Sequence, residues 1–219
     1  MCLLDGVPGG GATLLMLFMR LANSVALEKP LTMQAPRTLA SLSVEEYLAG
    51  ELDSRDRHEY LGGAVYAMAG ASEDHNSICL NLAFALRTHL RGQPCKVNMA
   101  DVKLRLAISE EDVFYYPDVM VACDSRDTDP YFKRFPKVLI EVLSPQTEQT
   151  DRREKFLSYI QIPTLEEYVL VAQDRMEVTV FRRANKWQPQ IMGRPEDLLR
   201  VNSLTFTLPL NLVYEGVKL

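Results

Sequence analysis

The chain has 219 residues, 47% hydrophobic and 24% charged, with 11 glycines and 12 prolines, the make-up of one folded domain rather than a fibre, tail or linker. At this length about two-thirds to three-quarters of the unfolded surface can be buried, so neither disulfides nor a structural metal are needed to hold a core. The formal charge of −5 argues against a protein that coats nucleic acid by bulk charge, although a local basic rim with a divalent ion can still serve such a substrate.

Residues 1–32 differ from the rest. A Gly-rich start (GVPGGG) leads into the apolar run Thr13 to Leu27 and a Lys29-Pro30 break. Arg20 interrupts the run, no basic segment precedes it, and it is too short to span a bilayer. It reads either as a helical arm on a partner subunit or, slightly better, as sequence upstream of the native start, with one domain over 33–219. Cys2, Cys79, Cys95 and Cys123 form no CxxC, and they read as reduced thiols of a cytoplasmic protein.

Ser43 followed by Glu46 is a capping box that predicts a short helix through Ala49. His58 to Ala69 reads as a hairpin about Gly62-Gly63. Between Ser72 and Arg91 the residues Ile78, Leu82, Leu86 and Leu90 recur on one helical face, with Gly92 as a stop. Strands are predicted over Val102–Ile108, Val113–Ala122 and Val138–Leu143, the last two apolar enough to be covered on both faces. A second helix fits Asp151 to Gln161, with Asp151 and Glu154 as its start signal and Pro163 beyond its end. A hairpin follows, Tyr168–Ala172 and Met176–Phe181 around Gln173-Asp174-Arg175, then strands near Lys186–Met192 and Leu204–Leu210. The order predicts an α+β fold, a mixed sheet flanked by helices.

Two of the most apolar strands each carry a carboxylate, Asp118 after Tyr116-Pro117 and Glu141 inside Val138–Leu143. An isolated buried carboxylate must protonate, pair with a cation or bind a metal. A structural pairing with Arg explains one such acid as well as a site does. Two, each followed by a loop, point towards a site, and oxygen ligands of this kind suit Mg²⁺. No GxSxG, HExxH or phosphate-binding Gly loop is present, which removes the common hydrolase and zinc-protease readings.

Tyr116-Pro117-Asp118 and Glu141-Val-Leu-Ser-Pro145 resemble the motifs of the PD-(D/E)XK nuclease superfamily, and specifically its Uma-type restriction-endonuclease family. The likeness extends through His58-Glu59-Tyr60-Leu61-Gly62-Gly63, His75 at the start of the long helix, Asp151 through Tyr159, and Pro163 through Val171. It implies a restriction-endonuclease-like core and Mg²⁺-dependent cleavage of DNA, with Mn²⁺ able to substitute. One position departs from the superfamily: Leu143 stands where the motif's Lys follows the second acid. The family likeness moves that role to Lys155, which shares a helical face with Tyr159. Lys103 and Lys137 are rivals, Lys137 about 13 Å from Glu141 along the strand. Without the likeness, Lys155 reads as an ordinary intrahelical partner of Asp151.

The implied machinery is Asp118, Glu141 and the Val142 carbonyl on the metal, Glu59 joining directly or through water, and Lys155 beside the nucleophile. Tyr159 either contacts the scissile phosphate or packs in the core. His75 either serves the site or faces solvent, while His58 and His89 read as surface residues. Lys133, Arg134, Arg152 and Arg153 are candidate DNA contacts on an acidic protein, although such clusters also occur simply as solvated faces. Cleavage of both strands would suit a homodimer. Two alternatives stay open: a catalytically weakened DNA-binding or protein-interaction module, for which Leu143 speaks, and a hydrolase of small phosphoesters.

Overall fold

The computed structural model describes residues 41–145 and 147–219. The extension over 1–32 lies outside the described residues. Ser43 caps helix α1 (Val44–Asp53): its Oγ accepts from the Glu46 amide at 3.2 Å, and Glu46 accepts in return from the Ser43 amide at 2.9 Å. The helix runs a turn beyond Ala49, because Glu51 in that turn is buried and bound to its surroundings. Strands β1 (His58–Leu61) and β2 (Ala64–Ala67) form the expected hairpin, with Glu59 opposite Tyr66. Gly62 and Gly63, at φ 53° and 98°, take up the turn's left-handed backbone. Helix α2 (Glu73–His89) is capped by Ser72 and buries Ile78, Cys79, Leu82 and Leu86.

Beyond α2 come β3 (Lys96–Met99), β4 (Lys103–Ile108), β5 (Glu111–Tyr115) and β6 (Val119–Ala122). The apolar run expected as one strand over Val113–Ala122 is therefore two, and they belong to different sheets. Pro117 donates no ladder hydrogen bond, so the chain leaves one sheet at Tyr115 and joins the other at Val119. Asp118 sits at that crossing. Strands β7 (Phe132–Lys133) and β8 (Pro136–Leu143) follow.

The next helical segment has three parts: α3 (Glu148–Thr150), a π-helical turn (Asp151–Lys155) and α4 (Phe156–Tyr159). It begins before Asp151, so that residue lies inside the segment and caps nothing. Strands β9 (Glu167–Ala172), β10 (Val178–Arg182), β11 (Pro189–Met192), β12 (Leu198–Val201) and β13 (Phe206–Pro209) and the short α5 (Leu210–Val213) complete the described chain. Strands β3 and β12, both with polar positions, escape a reading of apolar runs.

The sheet orders are β2-β1-β5-β4-β7 and β11-β10-β9-β8-β6-β3, with β12-β13 as a separate pair. Parallel pairs, β4 with β7 and β8 with β9, sit among antiparallel ones, giving the mixed-sheet α+β architecture that the element order predicts. Strand β8 organises the core. Val138, Ile140 and Val142 point to the α2 side, whereas Leu139 and Leu143 point to β4, β5 and Tyr159. Each buried aliphatic side chain contributes about 1.5–3 kcal/mol. Period-2 alternation puts Glu141 on the second face, inside that apolar layer.

Two of the cysteines are not free thiols. Lys96 pairs with Ala122, so Cys95 and Cys123 meet one step further along the same ladder, and they are bonded. A separation of 28 residues gave no cue, since sheet register made the encounter. Cys79 is free and buried. No described helix is long and apolar enough to cross a membrane.

Candidate active site

Register brings the two acids together. Val119 pairs with Ile140 in the antiparallel β6–β8 ladder, which sets Asp118 across from Glu141. The Asp118 amide donates to Glu141 Oε2 at 3.3 Å, and the Val142 amide donates to Asp118 Oδ2 at 2.7 Å. Each carboxylate is thus held by the other's strand. Glu141 is 2% exposed, and its Oε1 accepts from the Tyr159 hydroxyl at 2.8 Å and from Lys155 Nζ at 3.4 Å.

Lys155 is the meeting point. Its Nζ lies 3.2 Å from Glu59 Oε1, 3.4 Å from Glu141 Oε1 and 3.1 Å from Asp151 Oδ1. The intrahelical pair with Asp151 is real but is one of three contacts, and the acids come from β1, β8 and the π-helical turn. That turn carries one more residue per hydrogen-bonded ring than an α-helix and often marks functional sites. Leu143, at the motif's lysine position, packs in the apolar core, and Lys155 reaches Glu141 in its place. The rivals are elsewhere: Lys137 pairs with Glu166 at 3.2 Å, and Lys103 is buried over the Tyr116 ring.

The cluster is acid-rich. Glu59, Asp118, Glu141 and Asp151 face one ammonium and one imidazole along a cavity of about 740 Å³. Burial pushes the Glu141 carboxyl well above the ordinary carboxylate range, assisted by Asp151 and Asp118 and opposed by Lys155. Burial also works against the Lys155 charge, but Glu141, Asp151, Glu59 and Asp118 outweigh it and hold its proton more tightly than usual. For His75, burial is likewise overcome, here by Asp118, the Val142 carbonyl and Asp151, so its pKa is raised. His75 Nε2 lies 3.4 Å from Asp118 Oδ2. It belongs to the cluster and does not face solvent.

Several expected roles need correction. Tyr159 is fully buried and bonded to Glu141, so it supports that acid and cannot touch a phosphate. Lys133 is buried, its ammonium held by the Asp127 and Asp129 carbonyls, and it offers no surface charge. Arg134 is exposed but lines a separate cleft with Arg105 and Asp112. Arg152, half-buried, is tied to Glu148 and Glu177, whereas Arg153 beside it is exposed. His58 is held by Glu51, and His89 meets the Leu204 carbonyl.

The sequence also hid two groups. Glu51, 7% exposed, accepts from the Tyr116 hydroxyl and the His58 amide, and its other oxygen lies 2.8 Å from His58 Nδ1. It ties the residue before Glu59 to the strand connection carrying Asp118. Cys79 reaches the same cavity; its position four after His75 was the available signal.

The donor set fits a hard divalent cation. Two facing carboxylates and the Val142 carbonyl supply oxygen ligands, and the four acids outnumber the one ammonium and one imidazole that face them. Residues 44–212 match the Uma2 family, described as a putative restriction endonuclease. The chain belongs to the Uma2 family. Two uncharacterized proteins of Synechocystis are 34% and 29% identical to it, over 80% and 76% of this chain and 93% and 96% of their own lengths. A solved structure described as a putative nuclease belonging to DUF820, from Anabaena variabilis, shares the fold with a TM-score of 0.66 and 17% identity, covering 79% of this chain and 97% of that one.

Proposed function

We propose that this chain is a Mg²⁺-dependent DNA endonuclease, with Mn²⁺ able to substitute, acting as a homodimer whose two sites serve two strands. The observation that carries the reading is Lys155 meeting acids from three elements beside Asp118. Asp118, Glu141 and the Val142 carbonyl would hold the ion, with Glu59 joining. A bound divalent ion supplies acidification of a water and neutralisation of phosphoryl charge. Lys155, protonated and fixed by its acids, orients the attacking water and offsets charge on the phosphate. Tyr159 keeps the Glu141 carboxylate aimed, and His75 does the same for Asp118. Exposed Arg153, in the turn that carries Lys155, is the candidate DNA contact, with Arg152 beside it. Lys155 standing in for the motif's lysine takes away the feature that favoured a catalytically weakened module.

The test is incubation with supercoiled and linear DNA plus Mg²⁺ or Mn²⁺, beside Asp118→Ala and Lys155→Ala. Wild type cleaves, and each variant loses about 100-fold or more. Cleavage unchanged in Asp118→Ala refutes the site. Binding without cleavage of any DNA restores the module reading.

A further inference from the structure

Cys79 follows His75 by one helical turn on α2, which puts both side chains on one face. Its Sγ lies 3.5 Å from His75 Nδ1, while His75 Nε2 lies 3.4 Å from Asp118 Oδ2. One ligand atom from each of the three residues falls within 4.8 Å of the other two, and all three line the cavity that holds the carboxylates. The nuclease reading takes only oxygens of this group as metal ligands. A thiol and an imidazole are poor ligands for Mg²⁺ but good ones for Zn²⁺ and Co²⁺.

Dimensions agree with the chemistry. A tetrahedral ion at Zn–S, Zn–N and Zn–O bond lengths separates its ligand atoms by about 3.4–3.6 Å, and the two measured contacts are already at that spacing. They use different ring nitrogens, whereas one ion takes only one. Two pairs, that of the chosen nitrogen with the other residue and Cys79 with Asp118, therefore have to close by at most about 1.4 Å each, within reach of rotations of these three side chains. Ile78, Leu82 and Leu86 anchor α2 on both sides of Cys79, so His75 and Cys79 are presented from a fixed backbone. Water or the Val142 carbonyl is available to complete the shell.

We propose that His75, Cys79 and Asp118 form a second metal site, selective for a borderline divalent ion of the Zn²⁺ type. Because Asp118 is shared with the carboxylate site, the two ions exclude each other, and Zn²⁺ is an inhibitor of Mg²⁺-dependent cleavage. The competition rests on the nuclease reading; the site itself does not.

Co²⁺ titration of the full chain, with the Cys95–Cys123 bond intact, tests the site. The expected result is a thiolate-to-cobalt charge-transfer band saturating at one ion per chain, its half-saturation moving to higher Co²⁺ as Mg²⁺ is added. The band disappears in Cys79→Ser and Cys79→Ala, each checked for folding by circular dichroism. His75→Ala weakens binding by more than about tenfold, the loss that even an outer-shell change brings. Co²⁺ binding without the band, or a band that survives both Cys79 variants, overturns the proposal. In cleavage assays the Cys79 variants need more Zn²⁺ for half-inhibition than wild type does. A band with no cleavage of any DNA leaves this site standing and sinks the nuclease reading; cleavage with no band does the reverse.

Discussion

Lys155→Met removes the ammonium while keeping an unbranched side chain of similar length, and so isolates what the charge does. Three carboxylates now at 3.1–3.4 Å from Nζ would lose their shared ammonium. Breaking a buried ionic group by deleting one partner costs about 3–5 kcal/mol. A chain of this size loses about 2–4 °C of melting temperature per kcal/mol, so the fall should be about 6–20 °C. The sign with pH follows from the two displaced groups. Lys155 has a raised pKa, so its contribution is complete below the ordinary lysine pKa and disappears only as pH rises through the raised value; wild type keeps it from acidic to mildly alkaline pH. In the variant the acids are uncompensated, and the upward-displaced Glu141 takes up a proton first as pH falls. The deficit should therefore shrink between pH 7 and pH 5, and adding Glu141→Gln should recover part of it. Thermal melts followed by circular dichroism at the two pH values measure both effects. A Lys155→Met protein melting within about 1 °C of wild type, or with the same deficit at both pH values, would refute the reasoning.

Saturating Mg²⁺ at about 100 times its Kd should stabilise wild type by about 2.7 kcal/mol, and Asp118→Asn should show no such gain in the same melts. Glu51→Ala orphans the Tyr116 hydroxyl and the His58 amide and should cost about 1–3 kcal/mol for each; chemical denaturation of Glu51→Ala beside Glu51→Gln separates lost bonding from lost charge. Reducing Cys95–Cys123, which closes a 28-residue loop, should lower stability by about 3–4 kcal/mol, seen as a lower denaturation midpoint in dithiothreitol. Hydrogen bonds from Arg175, then the charges of Arg175 and Arg152, hold Glu177 below the usual carboxylate range. Its contribution is present above the unfolded-state pKa and is lost as pH falls through the folded value, so Glu177→Gln should flatten the acid side of the stability profile.

Much of this was legible in local patterns. The cap at Ser43, the Gly62-Gly63 turn and the stripe from Ile78 to Leu90 are short-range features, because each depends on residues within a turn or two. The split at Pro117 was legible in principle, since proline cannot extend a ladder, but an apolar run on both sides masked it. Lys133 looked like surface charge, and only the loop carbonyls of Asp127 and Asp129 made it a buried one.

The sequence alone determined that Asp118 and Glu141 needed partners, since two carboxylates in apolar strands cannot stay ionised unaided. It left the partner open, with Lys103, Lys137 and Lys155 all chemically suitable. Tertiary structure made the choice through the parity of β8 and the π-helical turn, which bring Lys155 to Glu141 and Glu59 at once. The same through-space register paired Cys95 with Cys123 and put Cys79 beside Asp118. Residue chemistry states which contacts a chain requires, whereas the distance between residues far apart in sequence is set by how sheets and helices pack.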